Sequence, residues 1–398
     1  MIAALWYLYY FLAAVSCWFG IKSLLSGLRY AAYVRRETRR PIPAYRPYVS
    51  VIAPGRGLEP GLADNLRPLL AQEYPRYEVL FVFDQADDPA VTIIEELVSH
   101  GFSRMARTII AGPATDSGQK VHNLRVATTK VDPESEVLVF VDTDARPSNT
   151  WLKQLVAPLA DETLGASSGY RWFIPEKGGF SSQLRSVWNA SIASALGDDA
   201  TKNFCWGGST AIRRTTFNQL NVNDRWRGTV SDDFTITHIL KQAGLPIHFT
   251  PNCLVPSVGD CDFRELLEFT TRQIKITRVY APHLWLPLLL GSSLFTIAFF
   301  GGLILIGVHP RSSVAYIFPL LIFTLGAIKS FIRFRAVSTV VQPSRGDLLA
   351  HLFLWPIAQL LYLYNAIAAG FSRRIKWRGI TYELKSPTEA VIISREPQ

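Results

Sequence analysis

The stretch Glu136-Val-Leu-Val-Phe-Val-Asp142-Thr-Asp144 constrains this chain more than any other. An unbroken apolar run bounded by polar residues is the signature of a strand buried on both faces, which a parallel α/β sheet provides. Ligands of such sheets bind beyond the carboxyl ends of the strands, which is where Asp142 and Asp144 fall. Two carboxylates there are costly unless a cation sits on them. Oxygen-only ligands suit a hard divalent ion, Mg²⁺ or Mn²⁺, shared with a substrate diphosphate. The competing reading makes the two aspartates caps for a helix opened by Ser148 or Asn149.

The surroundings repeat the α/β theme. Between Pro47 and about Pro256, short apolar runs alternate with helical patterns. Val49–Ala53 reads as a strand closed by Pro54-Gly-Arg-Gly57, followed by a helix from Glu59 to Gln72. Tyr77–Phe83 is a second strand ending in Asp84, Pro89–Ser99 a helix, Arg107–Ala111 a third strand, and His122–Thr129 a helix. Strand and helix in alternation predict a largely parallel sheet with right-handed crossovers. The spacing therefore places one Rossmann-like α/β domain over residues 47–257.

Apolar segments flank that domain. Residues 2–28 are long enough to cross a bilayer and carry their charge, Lys22, near the end rather than ahead of the run, which marks an anchor (1–28) and not a signal peptide. Arg29 through Arg46 then supply six arginines against one glutamate, so the positive-inside rule puts the following domain in the cytoplasm. Residues 262–282 read as a basic amphipathic helix lying at the membrane surface: Phe263, Leu266, Leu267, Phe269 and Ile274 recur at helical spacing among Arg264, Arg272, Lys275 and Arg278. A membrane block (284–371) holds three apolar segments, at about 284–308, 314–332 and 349–371, and a basic tail follows over 372–398. Three crossings would leave Arg373, Arg374, Lys376 and Arg378 outside, against the charge rule, so either one segment is re-entrant or the tail breaks the bias. A positive mean hydropathy with only 18% charged residues fits a membrane protein with a large water-exposed part. The net charge of +9 is concentrated beside the apolar segments, the pattern of headgroup anchoring, and disfavours nucleic acid as a partner. The four cysteines form no Cys-x-x-Cys pair and read as reduced, packed residues.

Three further groups carry chemistry. Asp84 lies on the same rim as Asp142 and Asp144. Ser231-Asp232-Asp233-Phe234 opens a helix, so one carboxylate can cap while the other serves as a general base. Cys205-Trp206-Gly207-Gly208 combines glycines that permit close backbone approach with an aromatic face for a sugar or acyl chain. Gly118-Gln-Lys120-Val-His-Asn123 sets a lysine at a helix start, a seat for phosphate, against the plainer reading of a solvated surface lysine.

Together these strings resemble the inverting family 2-type glycosyltransferases, and within them the ceramide glucosyltransferase family, over nearly the whole chain. The Asp84-Gln-Ala-Asp87-Asp88-Pro89 string is similar to that family's first aspartate motif, supported by Pro54–Pro60, Lys120–Leu124 and Trp377–Tyr382. The resemblance implies a GT-A nucleotide-sugar-binding fold with one N-terminal and about three C-terminal transmembrane helices. It implies that Asp84 holds the nucleotide base, that Asp142 and Asp144 bridge nucleotide and metal, that Lys120 touches the diphosphate, and that Asp233 is the catalytic base. Trp206, Gly207, Gly208 and Asp232 would line the acceptor side. The family's last motif, Gln or Arg, two residues, then Arg-Trp, is matched by Arg272-Gln-Ile-Lys275-Ile276, where Lys and Ile replace Arg and the aromatic. Arg272 and Lys275 are then the donor-binding residues of that corner, although lysine lacks the bidentate fork of arginine.

The implied reaction moves a hexose, glucose from UDP-glucose, onto a membrane lipid, ceramide, from the cytoplasmic side of a membrane, a bacterial inner membrane in preference to the Golgi. Other lipid acceptors (a hopanoid, polyprenyl phosphate or diacylglycerol) stay open. A non-catalytic nucleotide-binding membrane protein is disfavoured, because the spans hold little that is polar beyond Lys329 and His351, both near ends where snorkelling is easy. No obligate protein partner is evident in the sequence.

Overall fold

The computed structural model describes residues 2–59, 61–99, 105–309 and 313–396. In chain order the elements are α1 (Ile2–Thr38), β1 (Val49–Pro54), α2 (Leu62–Leu70), β2 (Tyr77–Phe83), α3 (Pro89–Ser99), β3 (Ala106–Ile110), α4 (Gln119–Thr128), β4 (Val137–Phe140) and α5 (Trp151–Val156). There follow β5 (Ala166–Ile174), α6 (Phe180–Ala193), β6 (Thr210–Arg213), α7 (Arg214–Gln219), α8 (Val222–Arg225), α9 (Asp232–Gln242) and β7 (Ile247–Val258). The remainder comprises α10 (Phe263–Tyr280), α11 (Pro282–Val308), α12 (Ser313–Val337), α13 (Arg345–Phe353), α14 (Trp355–Phe371), β8 (Arg374–Trp377), β9 (Ile380–Ser386) and β10 (Glu389–Arg395).

The chain divides into two compact units. One contains residues 36–173, 195–259 and 373–398. Its seven-stranded sheet has the order β3-β2-β1-β4-β6-β5-β7. The first four strands run parallel, β1 pairing with β2 on one side and β4 on the other. β6 runs antiparallel to both β4 and β5. β1, β2 and β4 are buried along their whole length, as expected of strands covered on both faces. The core on the α4/α9 side of the sheet contains Ile52, Leu80, Val82, Leu124, Phe140 and Trp226. The Trp226 ring meets Phe140 and Phe217, each at 5.4 Å. Tertiary packing thus fixes the loop that leads into α9. This is the GT-A arrangement, a mixed α/β sheet whose parallel half presents its carboxyl ends on one rim.

The same unit takes in the C-terminal residues. The expected basic tail folds into a three-stranded antiparallel sheet, β10-β9-β8. Its alternation of buried and exposed residues, with Ile380, Tyr382 and Leu384 inward, gives it one apolar face.

The other unit contains residues 1–35, 174–194 and 260–372, so α6, which falls inside the 47–257 range, groups with the apolar helices. Among the described residues three helices are long and apolar enough to cross a membrane, Trp6–Thr38, Pro282–Val308 and Tyr316–Val337, or four if the pair α13 and α14, bent by 62°, counts as one span. The first helix runs ten residues past the expected end at 28, because the arginines beyond it continue a helical pattern without a breaker until the Pro41-Ile-Pro43 stretch. α10 opens with a reciprocal cap between Asp262 and Glu265. Within this unit Tyr362 donates to the Trp188 carbonyl at 2.8 Å while the two rings stack at 4.9 Å. Lys329 and His351 do not snorkel: Lys329 Nζ donates to Ser23 Oγ at 2.7 Å, and His351 is fully buried, 3.3 Å from Ser186 Oγ. Internal partners inside a helical unit replace water for both groups.

Candidate active site

The strand β4 ends at Phe140, and the chain then turns, the Ala145 N–H bonding to the Asp142 carbonyl at 3.2 Å. The loop is tied down on both flanks. Asn65 of α2 donates to the Thr143 carbonyl at 3.4 Å, and the Arg146 N–H bonds to Pro256 of β7 at 3.0 Å. Asp142 and Asp144 therefore stand on the rim, turned toward β5. The helix that begins at Trp151 draws no side-chain cap, since Thr150 at its N-cap makes none. The side-chain contacts of the two aspartates go instead to Arg171 and Lys120.

Their partner is a residue that sequence reasoning passed over. Arg171, in the otherwise apolar Tyr170-Arg-Trp-Phe end of β5, bridges both carboxylates, at 3.0 Å from Asp142 and 3.3 Å from Asp144. The only signal was a charge in the middle of a buried strand, which is rare without a partner. Beneath the guanidinium lies the Trp206 ring, 4.9 Å away, and that ring also packs against Tyr170 at 5.6 Å. Trp206 is thus buried rather than offering an open aromatic face, because a cation–π contact and an aromatic neighbour claim its surface.

On the other side of Asp142 sits Lys120, in the first turn of α4. Its ammonium lies 2.8 Å from Asp142 and 3.2 Å from Asp232. Burial opposes the charge on Lys120, but the aspartates around it outweigh that cost and raise its pKa. Burial likewise opposes ionisation of Asp142, yet Lys120 and Arg171 hold its carboxyl below the usual range. Asp232 goes the other way: burial raises it, Lys120 pulls it down, and the charges of Asp233 and Asp142 push it up again. For Asp232, burial together with the two neighbouring carboxylates outweighs the Lys120 charge. The Asp232 Oδ2 atom is buried with no hydrogen-bond partner.

Asp232 and Asp233 open α9. The Trp226 indole donates to the Asp232 carbonyl at 3.1 Å, so the core tryptophan sets the height of this turn. Ser231 caps the helix by accepting from the Phe234 N–H at 3.3 Å and also donates to Asp233. The Phe234 N–H bonds Asp233 Oδ1 at 2.7 Å, leaving Oδ2 facing the Gly207 N–H at 3.5 Å. Asp233 is only half-buried, whereas Asp232 is enclosed. Gly207 and Gly208 are required by crowding. A Cβ on Gly207 would strike Asp232 Oδ2 and lie 2.7 Å from Lys120 Nζ, and one on Gly208 would strike the Trp206 ring and lie 2.8 Å from Asp142 Oδ2.

Lys120, Asp142, Asp144, Trp206, Gly207, Gly208, Asp232 and Asp233 therefore form one cluster. Asp84 stands on the same rim at the end of β2, separated from β4 by β1, roughly 10 Å along the sheet from two strand spacings. It is 2% exposed and ion-paired with Arg56. Burial raises the Asp84 carboxyl while the Arg56 charge opposes that rise. Arg272 and Lys275 lie in the membrane unit, on α10, where the Arg272 guanidinium sits 5.6 Å from the Phe269 ring.

An acidic rim closed by a buried lysine and an arginine thus lies at the carboxyl ends of the sheet. The profile of glycosyl transferase family 21 matches residues 8–390, and the chain belongs to that family. Among curated proteins, ceramide glucosyltransferase 3 of Caenorhabditis elegans is 30% identical over 81 residues, which is 20% of this chain and 18% of that protein. The aligned part is thus under a fifth of that relative's length. The mannosyltransferase PcManGT of Pyrobaculum calidifontis, solved with GDP-Man and Mn²⁺, is 19% identical, with a TM-score of 0.48 over 90% of this chain and 99% of that one. The glucosyl-3-phosphoglycerate synthase of Mycobacterium tuberculosis, solved with Mn²⁺ and UDP-glucose, is 16% identical, with a TM-score of 0.38 over 57% and 77%.

Proposed function

We propose that this protein is an inverting, metal-dependent glycosyltransferase that moves glucose from UDP-glucose onto the hydroxyl of a membrane lipid, ceramide, giving a β-glycosyl lipid. The observation that carries the reading is the convergence of Lys120, Asp142, Asp144, Asp232 and Asp233 on one rim, in a chain that also holds helices able to cross a membrane.

The residues fit a divalent cation. Asp142 and Asp144 offer oxygen donors alone and share one cationic group, the Arg171 guanidinium, while Lys120 pairs with the other Asp142 oxygen. Among the described residues no set of three or more acidic, histidine or cysteine groups is arranged to hold an ion unaided. That suits Mg²⁺ or Mn²⁺ held by one or two carboxylates with diphosphate oxygens and water as the other ligands. Such an ion, when bound, supplies Lewis-acid stabilisation of the departing diphosphate.

The protein's own groups do the rest. Lys120 adds a positive charge beside the diphosphate, and Asp84 takes the base end of the donor. The glycine pair lets the donor approach the backbone closely, with the Gly207 N–H presented at the cluster. The acceptor oxygen attacks the anomeric carbon as the bond from that carbon to the diphosphate oxygen breaks. Asp233 Oδ2, the less constrained oxygen of the pair, receives the hydroxyl proton. One displacement inverts the centre, so an α-linked donor yields a β-linked product. Asp232, enclosed and bound to Lys120, holds that lysine in place on the acceptor side.

Topology supports delivery of a lipid to this side. Residues 373–398 belong to the same unit as the sheet, which supports an even number of crossings between the two parts of that unit. With α11 and α12 as two crossings, the pair α13 and α14, bent by 62°, is the one proposed to be re-entrant. The six arginines between residues 29 and 46 support a cytoplasmic catalytic unit by the charge rule, and the membrane proposed is a bacterial inner membrane in preference to the Golgi. Incubation of the purified, detergent-solubilised protein with a panel of nucleotide sugars and membrane lipids, followed by mass analysis of the lipid fraction, tests the reading. It predicts a hexosylated ceramide that disappears on chelation. Transfer to none of the lipids overturns it.

A further inference from the structure

The C-terminal sheet is joined to the donor side of the α/β unit by two separate sets of contacts. Its β8–β9 turn is Arg378-Gly379, with φ of 51° and 73°. A two-residue turn with both central residues left-handed is the hairpin type that usually takes Asn-Gly. An arginine there is strained and persists only where surroundings hold it. Here they do: the Arg378 guanidinium pairs with Glu59, and its carbonyl accepts from Arg56 Nε at 3.0 Å. Arg56 in turn pairs with Asp84.

The second set lies on β9 and β10. Tyr382 is 1% exposed, and its hydroxyl accepts from the Gln119 N–H at 3.1 Å, next to Lys120. Arg395 donates to Gln119 Oε1 at 3.0 Å and to the Ala114 carbonyl. Gln119 continues to Asn123 Oδ1 at 2.8 Å, and Asn123 donates to the Val82 carbonyl at 3.2 Å, two residues before Asp84. The first route ends at Asp84 itself and the second at the strand residue two positions before it; the Asp84 Oδ1 atom is buried with no hydrogen-bond partner. An ionised carboxylate only accepts hydrogen bonds, so that oxygen awaits a donor.

We infer that the C-terminal sheet is a wall of the donor site and sets Asp84, through Arg56, to receive a ring N–H of the base of a nucleoside diphosphate. Arg56, Tyr382 and Arg395 are positioning residues for that contact, which rests on the donor reading above. The tail thereby governs which base is accepted, while the diphosphate is held elsewhere, by Lys120 and the Asp142–Asp144 pair.

The test uses the full-length protein with Mn²⁺ and three probes: UDP, CDP, which lacks the ring N–H, and inorganic diphosphate. Tyr382→Phe and Arg395→Gln should weaken UDP roughly tenfold or more, the scale of a lost hydrogen bond to a charged group. Diphosphate binding should stay unchanged, and the preference of UDP over CDP should collapse. Donor KM should rise while kcat and acceptor KM hold. In an Asp84→Asn background the same substitutions should add nothing further. Equal losses of UDP and diphosphate, or effects additive with Asp84→Asn, would show a merely structural tail and overturn the inference. If Arg395→Gln does not fold, the milder Tyr382→Phe carries the same comparison. Wild-type protein that binds no nucleoside diphosphate overturns the donor reading itself. Wild-type binding with unaltered variants overturns only the role of the tail.

Discussion

Arg171→Gln is the most informative single substitution. The arginine is 12% exposed and bridges Asp142, at 19%, and Asp144, at 32%. Removing one member of a buried ion pair costs about 3–5 kcal/mol where the remaining charge is left uncompensated; here Asp142 keeps Lys120 at 2.8 Å, so the loss falls mainly on Asp144. The partial exposure of Asp144 puts this case at the low end, about 3 kcal/mol. The loss is recoverable. A divalent ion that binds the folded state alone restores about 1.4 kcal/mol for each tenfold excess over its dissociation constant. In the wild-type protein the same ion must first displace the guanidinium, so the variant should bind Mn²⁺ more tightly in the absence of nucleotide. Tryptophan-fluorescence melting of the full-length protein in chelator, in Mn²⁺, and in Mn²⁺ with UDP reads all three states. The variant should melt well below wild type in chelator and gain more from Mn²⁺ alone. Equal melting in chelator, or an equal Mn²⁺ gain, would refute the placing of the ion between these carboxylates.

Two other outcomes follow from the same geometry. Gly207→Ala places a Cβ against Asp232 Oδ2 and 2.7 Å from Lys120 Nζ; the overpacking should cost about 1–3 kcal/mol and weaken UDP binding, and unaltered melting and titration would contradict it. Asp232 has a raised folded-state pKa, so its contribution to stability is fully present below the ordinary carboxylate range and is lost as pH rises through the raised value. Asp232→Asn should therefore flatten the decline of stability with rising pH from that range upward, as read by melting across a pH series; an unchanged profile would remove Asp232 as its source.

Much of this was legible in the sequence because it is written locally. The run Val137–Val141 could only be a doubly covered strand, and the aspartates after it had to fall on the rim. Ser231 announced a helix start three residues ahead of the N–H it caps. What stayed hidden depends on contacts between distant residues. Arg171 is a lone charge in β5, and nothing nearby in sequence names Asp142 as its partner. The β9 and β10 residues reach Gln119 across more than 260 positions, so nothing local in the basic tail names that partner. Trp206 seemed available to a ligand because neither Arg171 nor Tyr170 was known to cover it. The break between α13 and α14 lies in Phe353-Leu-Trp-Pro356, where the proline disfavours helical geometry in the residue before it, inside a stretch whose apolar character reads as continuous.

The most direct test of the account is transfer by Asp233→Asn. Purified wild-type and variant proteins are compared for β-glucosylceramide formed from UDP-glucose, with UDP-glucose binding measured in parallel. The account predicts that turnover falls by about 10²–10⁴-fold, the contribution of a general base, while donor affinity stays within a few-fold. Wild-type turnover by the variant would contradict it.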